Sequence, residues 1–302
     1  MNGTRLQGNV PILATAFADD GTVDLDSISR LVSFLLEQKI DGLALFGNAS
    51  EGYALTAAEK RAILERVREQ TAGAIPLVVG AGGAGIEVAV ENALWACGEG
   101  ADALMVMPPS VVKPDETRLL EFYGELARRV SVPIMLQDAP GVSGVSMSVK
   151  LLARLCSEND AIRYVKVESP PTALKISALQ AQLHGAAEIF GGLNGVYMFE
   201  ELERGVTGVM PACEFPDVVN AILRAHAGGD REEARALFYR YLPFFRYGTQ
   251  PGINVAVHKE VLFRSGVFAT ARVRNPNVPL DPATRGELFA MLEHLPLAIL
   301  AS

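Results

Sequence analysis

Short apolar runs rich in Val, Ile and Leu recur along the chain, separated by amphipathic stretches whose apolar residues fall near helical spacing. The runs predict strands at Val10–Thr15, Gly42–Phe46, Leu77–Gly80, Ala103–Met107, Pro133–Gln137, Ile162–Lys166, Glu188–Gly191 and Thr207–Met210. Helices are predicted over Leu25–Gln38, Ala57–Gln70, Ile86–Cys97, Asp115–Arg129 and Ser148–Cys156. In the first of these Leu31, Phe34 and Leu35 share a face, and Asp24 or Asp26 is available as the N-cap. Strand–helix alternation implies a parallel sheet covered on both faces. Eight such units favour an α/β fold of the closed (β/α)8 TIM-barrel class over an open doubly wound sheet. The barrel is expected to span residues 1–227 and to carry the active site. Residues 228–302 are expected to form a C-terminal helical extension packed on it, with REEARALFYRYLPFF and Pro279–Leu300 as its best helical segments. No Gly-, Ser- or Pro-rich linker makes that extension freely hinged.

The 302 residues are 49% hydrophobic, enough to bury a large core. The formal charge of −8 is spread over interspersed acids and bases with no basic block, which argues against nucleic acid as a partner. The start, MNGTRLQGNVPILATAF, lacks the pattern of a signal peptide. No stretch approaches the roughly 18 uninterrupted apolar residues of a membrane span, so a soluble cytoplasmic protein is expected. Cys97, Cys156 and Cys213 make neither a CxxC pair nor an even disulfide framework and read as small buried hydrophobes. His184, His226, His258 and His294 have no metal-ligand spacing with each other or with the cysteines. The expectation is therefore no metal and no cofactor.

In a (β/α)8 barrel the chemistry sits at the C-terminal ends of the strands. That draws attention to RYVKVESP, Arg163–Pro170, which carries a lysine and a glutamate in an otherwise strand-like run. Successive strand side chains alternate, so Lys166 and Glu168 share one face while Val165 and Val167 share the other. Two readings stand for the pair. One is a structural ion pair. In the other, Lys166 is a Schiff-base nucleophile, because an amine in a low-dielectric site loses its proton more readily and attacks a ketone. Glu168 then removes a proton from the carbon beside the iminium. A keto acid also needs its carboxylate fixed, and the turn GNASEG, Gly47–Gly52, offers small residues, backbone N–H groups and the Ser50 hydroxyl before a helix.

GNASE after the second strand, PIMLQDAP at the fifth, YVKVESP at the sixth, FGGLNG at the seventh and GVTGVMPA at the eighth together resemble the dihydrodipicolinate synthase and N-acetylneuraminate lyase superfamily. The resemblance spans nearly the whole chain. It implies a (β/α)8 barrel with a helical tail, a homotetramer, and Lys166 as the Schiff-base lysine for pyruvate or a similar 2-keto acid. It further implies Asn48, Ala49, Ser50, Gln137, Gly191 and Met210 as residues that bind the substrate.

The chain also departs from the synthases and lyases of that superfamily. Gln137 stands where they carry a proton-relaying tyrosine, and an amide is neither acid nor base. Val142 stands at the position of the synthases' arginine, and Ser110 where a neighbouring subunit donates a tyrosine. Asn48 and Ala49 replace their paired threonines. NASE, PIMLQDAP and the Lys-x-Glu of KVESP resemble instead the 2-keto-3-deoxy-L-arabonate dehydratase branch, in which the glutamate two residues after the lysine is the acid-base group. That branch carries a Trp-Asp pair in its seventh-strand loop where this chain has GGLNG, Gly191–Gly195. Dehydration of a 2-keto-3-deoxy sugar acid is thus the expected reaction, with aldol-type cleavage or condensation using pyruvate as the alternative.

Two readings come from other classes. GAGGAG, Gly80–Gly85, satisfies the GxGxxG pattern of dinucleotide-binding proteins. The acidic residue expected at the end of the next strand is missing, since ALMVM runs into Pro108 and Pro109. A glycine-lined barrel loop is the simpler reading. A non-catalytic barrel that binds keto acids is also compatible with Gln137.

Overall fold

The computed structural model describes residues 5–301. In chain order the elements are β1 (Gly8–Asn9), α1 (Leu25–Glu37), β2 (Leu43–Leu45), α2 (Ala57–Thr71), β3 (Leu77–Gly80), α3 (Ile86–Gly98), β4 (Ala103–Val106) and α4 (Glu116–Arg129). They continue with β5 (Ile134–Asp138), α5 (Pro140–Ser143), α6 (Val149–Glu158), β6 (Ile162–Val167), α7 (Thr172–Leu183), β7 (Glu188–Gly191), α8 (Met198–Leu202), β8 (Gly208–Val209) and α9 (Pro216–Ala227). Three more helices follow: α10 (Arg231–Tyr247), α11 (Asn254–Arg264) and α12 (Pro282–Leu292). The strands follow the order β1-β8-β7-β6-β5-β4-β3-β2 in one eight-stranded sheet. The fold class is the (β/α)8 barrel, as the strand–helix alternation predicts.

Helix starts are set by short polar side chains that accept the N–H groups a first turn leaves unpaired. Asp24 takes the N–H of Asp26 and Ser27, Asp115 that of Arg118, Ser148 that of Leu151, and Asp281 those of Ala283 and Thr284. Thr56 and Glu59 form a capping box at α2. Each cap contributes about 1 kcal/mol. The strands are buried along both faces: Leu43–Leu45, Ala103–Val106 and Ile134–Asp138 have no exposed position. This is the pattern of a parallel sheet covered by helices.

Two compact units build the chain. Of the described residues, the first comprises 5–7, 76–193 and 197–209; the second comprises 8–75, 194–196 and 210–301. In the first unit β3 to β8 pair in parallel, each with the next, with Gln137 opposite Lys166 and Lys166 opposite Phe190. In the second, Ile12 bridges Ala44 on one side and Ala212 on the other.

The strands differ from the sequence expectation mainly at their ends. The run Val10–Thr15 does not form a continuous strand, because Pro11 has no N–H to donate. Its neighbours still bond sideways, Ile12 N–H to Pro211 O at 2.8 Å and Leu13 N–H to Ala44 O at 2.8 Å. β5 and β6 each run one residue further than expected, so that Asp138 and Val167 are within their strands. β8 is shorter, and Met210 lies just past it. In the GAGGAG segment Gly83 has a packing reason: a Cβ there would lie 2.6 Å from the Ala89 N. Its backbone therefore passes close beneath the first turn of α3.

Candidate active site

Lys166 is 3% exposed, near the C-terminal end of β6 in the first unit. Alternation along β6 places Tyr164 on the same face, and Phe190 is the register partner of Lys166 on β7. The Tyr164 and Phe190 rings pack edge to face, 5.8 Å between centroids, and the Tyr164 hydroxyl accepts the Leu6 N–H at 3.2 Å. The lysine thus has an aromatic ring beside it on β7 and another two residues before it on its own strand. Val165 and Val167, on the opposite face, are fully buried.

Glu168 follows directly after β6. Its Oε1 lies 3.3 Å from Lys166 Nζ, with side-chain exposures of 12% and 4%. Two donors fix the carboxylate. Gln137 Nε2 donates to Oε2 at 2.7 Å and the Leu193 N–H donates to Oε1 at 3.1 Å. Glu168 N–H in turn donates to Asp138 O at 2.9 Å, which ties the residue to β5. Burial by itself raises the Glu168 pKa. The Lys166 charge, the Gln137 hydrogen bond and the Leu193 N–H outweigh it and hold the carboxyl below its ordinary value. A Cβ at Gly192 would lie 2.6 Å from Glu168 Oε1, so glycine at that position leaves the carboxylate its place.

Behind this pair lie two further buried carboxyls. Asp138 is fully buried and its Oδ2 pairs with Lys175 Nζ of α7 at 2.6 Å; Lys175 also donates to Met147 O at 2.7 Å. Burial pushes the Asp138 carboxyl up, Lys175 opposes that, and the Glu168 charge adds to the rise. Glu201 of α8 is fully buried, with the Thr172 side chain as its polar neighbour. It is pressed against Gly191, where any Cβ would collide with its Oε2. Burial raises its pKa to about 7, against the pull of Thr172, with Glu168 and Glu200 adding to the rise.

In the second unit Asn48, Ala49 and Ser50 form one turn of 3-10 helix that starts from Gly47. The N–H groups of Ser50, Glu51 and Gly52 are used inside the turn, on Gly47 O, Asn48 O and Gly47 O at 3.1, 3.0 and 3.2 Å. These three are not available to an anion. The buried Ser50 hydroxyl has no hydrogen-bond partner among the described residues. The turn is anchored by Glu51, fully buried at a positive φ of 53°. Its carboxylate pairs with the buried Lys259 and accepts the Arg274 N–H at 2.7 Å and Asn277 Nδ2 at 3.0 Å. Met210 is 2% exposed.

The family model described as "Dihydrodipicolinate synthetase family" matches residues 5–295. The chain belongs to this family. It is 34% identical over 296 residues to the L-2-keto-3-deoxyarabonate dehydratase of Azospirillum brasilense, covering 96% of this chain and 95% of that protein. It is 31% identical over 301 residues to the 4-hydroxy-tetrahydrodipicolinate synthase of Chlorobium luteolum, covering 98% and 100%. The crystal structure of the dihydrodipicolinate synthase of Rhodopseudomonas palustris superposes with a TM-score of 0.89 at 29% identity, covering 96% of this chain and 98% of that one.

In this member of the dihydrodipicolinate synthetase family, the residues singled out in the sequence fall into two groups. Lys166, Glu168, Gln137 and Gly191 come together in the first unit. Asn48, Ala49, Ser50 and Met210 belong to the second. Lys175, Glu201 and the Leu193 N–H were not anticipated. For Glu201 a signal exists: it sits three residues after Met198 and next to Leu202 on α8, so an acid occupies the apolar, core-facing side of a helix. Lys175 and Leu193 leave no local signature, because their partners lie on other elements. A cavity of about 720 Å³ is lined by Pro109, Lys113, Arg118, Phe122 and Arg128 among others, and by none of the residues above. Its arginines are paired with Glu121 and Glu125. Among the described residues no cluster of three or more His, Cys, Asp or Glu is arranged to hold a metal ion, and no helix is long and apolar enough to cross a membrane.

Proposed function

We propose that this protein is a Schiff-base lyase of 2-keto acids whose main reaction is dehydration of a 2-keto-3-deoxy sugar acid. The observation that carries the reading is the Glu168 carboxylate, held by Gln137 Nε2 and the Leu193 N–H with its Oε1 3.3 Å from the buried Lys166 Nζ. A structural ion pair has no need of a second and third anchor on the acid. A base that must meet a C–H bond on a neighbouring carbon does, because positioning supplies much of the rate.

The unprotonated Lys166 amine adds to the C2 carbonyl, and water leaves to form the iminium. Glu168 takes a proton from C3, and the electron pair of that C–H bond becomes the C2–C3 double bond of an enamine. The protonated Glu168 then gives its proton to the C4 hydroxyl, which departs as water while the double bond moves to C3–C4. Hydrolysis at C2 releases an unsaturated 2-keto acid and regenerates the amine. No group other than Glu168 is needed for the proton transfers at C3 and C4, which suits a chain with Gln137 beside it. The roles of Asn48, Ala49 and Ser50 in holding the substrate carboxylate, and of Gly191 and Met210 in lining the site, rest on the sequence resemblance; the unpartnered Ser50 hydroxyl supports the first. The 34% identity to an L-2-keto-3-deoxyarabonate dehydratase supports dehydration over carbon–carbon cleavage. A homotetramer, inherited from the family resemblance, and a cytoplasmic setting, expected from the sequence, are part of the same proposal.

Borohydride reduction in the presence of pyruvate is expected to leave a covalent adduct on Lys166, located by peptide mass spectrometry. An unmodified lysine would overturn the reading. A panel of 2-keto-3-deoxy aldonic acids, assayed separately for dehydrated product and for released pyruvate, decides between water loss and aldol cleavage.

A further inference from the structure

The carboxyl of Glu201 is buried, has the Thr172 side chain as its polar neighbour, and takes no part in the chemistry described above. Its position is nevertheless close to that chemistry. Gly191 and Gly192 are consecutive; a side chain on the first would strike Glu201, and a side chain on the second would lie 2.6 Å from Glu168 Oε1. The next residue, Leu193, gives its N–H to Glu168. One short stretch of backbone therefore separates two carboxyls and fixes one of them.

We propose that Glu201 is a positioning residue for Glu168: with a proton it leaves Glu168 a weak base, and on losing that proton it makes Glu168 a stronger one. The proposal rests on the Schiff-base reading above. Two carboxylates in a shared low-dielectric region do not ionise independently, because each anion disfavours the other. The charges that bear on Glu201 are Glu168, from the segment after β6, and Glu200 on its own helix; the polar group facing it from α7 is Thr172. Both charges are negative, and together with burial they keep Glu201 protonated up to about pH 7. Above that pH the new anion raises the proton affinity of Glu168, and a stronger base removes the C3 proton faster.

The test uses exchange of the pyruvate methyl protons in heavy water, followed by proton NMR at saturating pyruvate, which reports the C3 step without requiring the full substrate. The wild type is expected to show a rate that climbs through an inflection near pH 7. Glu201→Gln, an uncharged mimic of the protonated acid, is expected to lose that inflection and to stay within about tenfold of the wild type on the acid side. An inflection that persists unchanged in Glu201→Gln overturns the proposal. Borohydride trapping on the same variant separates the two readings: a trapped adduct with an unchanged profile defeats the role of Glu201 alone, whereas no adduct in either protein defeats the Schiff base itself. Should Glu201→Gln fail to fold, infrared difference spectra of wild-type protein labelled with ¹³C-glutamate decide the matter. A protonated-carboxyl band that disappears around pH 7 supports the proposal, and its absence at all pH values overturns it.

Discussion

Gln137 reaches across from β5 to Glu168, at the end of β6, and donates its Nε2–H to Oε2 at 2.7 Å. The amide neither takes nor gives a proton. It is one of the two anchors that hold the carboxylate against its own burial.

Replacing Gln137 with Leu removes that donor while keeping the volume. A hydrogen bond to the charged form lowers a carboxyl pKa, so its loss raises that of Glu168. The acid limb of the pH–rate profile is expected to move up by about one unit, with the borohydride adduct still formed.

Glu168→Gln is expected to form the trapped adduct on Lys166 and to turn over at least about 10²-fold more slowly, the loss typical of removing an acid-base group. Turnover near that of the wild type removes Glu168 from the mechanism.

At Gly192 a methyl group would approach Glu168 Oε1 to 2.6 Å, a distance at which the carboxylate has to move. Gly192→Ala is expected to lower kcat by about 10- to 10²-fold, because a displacement of about 1 Å at a reacting group costs that much. Adduct formation, which depends on Lys166, is expected to survive.

Lys175 neutralises the fully buried Asp138 at 2.6 Å. Lys175→Met strands that carboxylate and is expected to destabilise the fold by about 3–5 kcal/mol, read from urea unfolding midpoints. Adding Asp138→Asn to Lys175→Met is expected to restore part of the loss, since no charge then remains buried without a partner.

Arg274 grips Glu59 with both terminal guanidinium nitrogens, at 2.9 and 2.5 Å. The Arg274 hydrogen bond is the main cause that brings the Glu59 pKa down from 4.5 to about 2. A depressed folded-state pKa stabilises fully above the unfolded value, and the gain is lost as pH falls through the folded one. The stability advantage of wild type over Glu59→Gln is therefore expected to be constant above about pH 4.5 and to shrink toward about pH 2. Urea midpoints of both proteins across the acid range measure it; an advantage that does not change with pH contradicts the assignment.

The parts of the fold that were legible in the sequence are those set by local periodicity and capping. Leu77–Gly80 and Glu188–Gly191 were readable to the residue, because a short run of Leu, Val, Ile or Phe closed by a glycine admits few registers. Asp24 at α1, one of two N-cap candidates in the sequence, was readable because capping is a contact between near neighbours. The first strand was not, since its bonding depends on partners at Ala44 and Pro211 and on how Pro11 interrupts them. Nor does the string of small residues at Gly47–Gly52 reveal that the N–H groups of Ser50, Glu51 and Gly52 turn inward on Gly47 and Asn48.

By itself the sequence placed Lys166 and Glu168 on one side of an extended run, because alternation is a property of the extended backbone and needs no partner. Only the tertiary structure decided what holds Glu168 there. Its two anchors come from positions 31 and 25 residues away, and they meet it through the register of β5 against β6 and the path of the chain after β7. Glu201 belongs with them: an acid on an apolar helix face is visible in the sequence, but the pair of glycines that brings it beside Glu168 has meaning only once β7 and α8 are packed together.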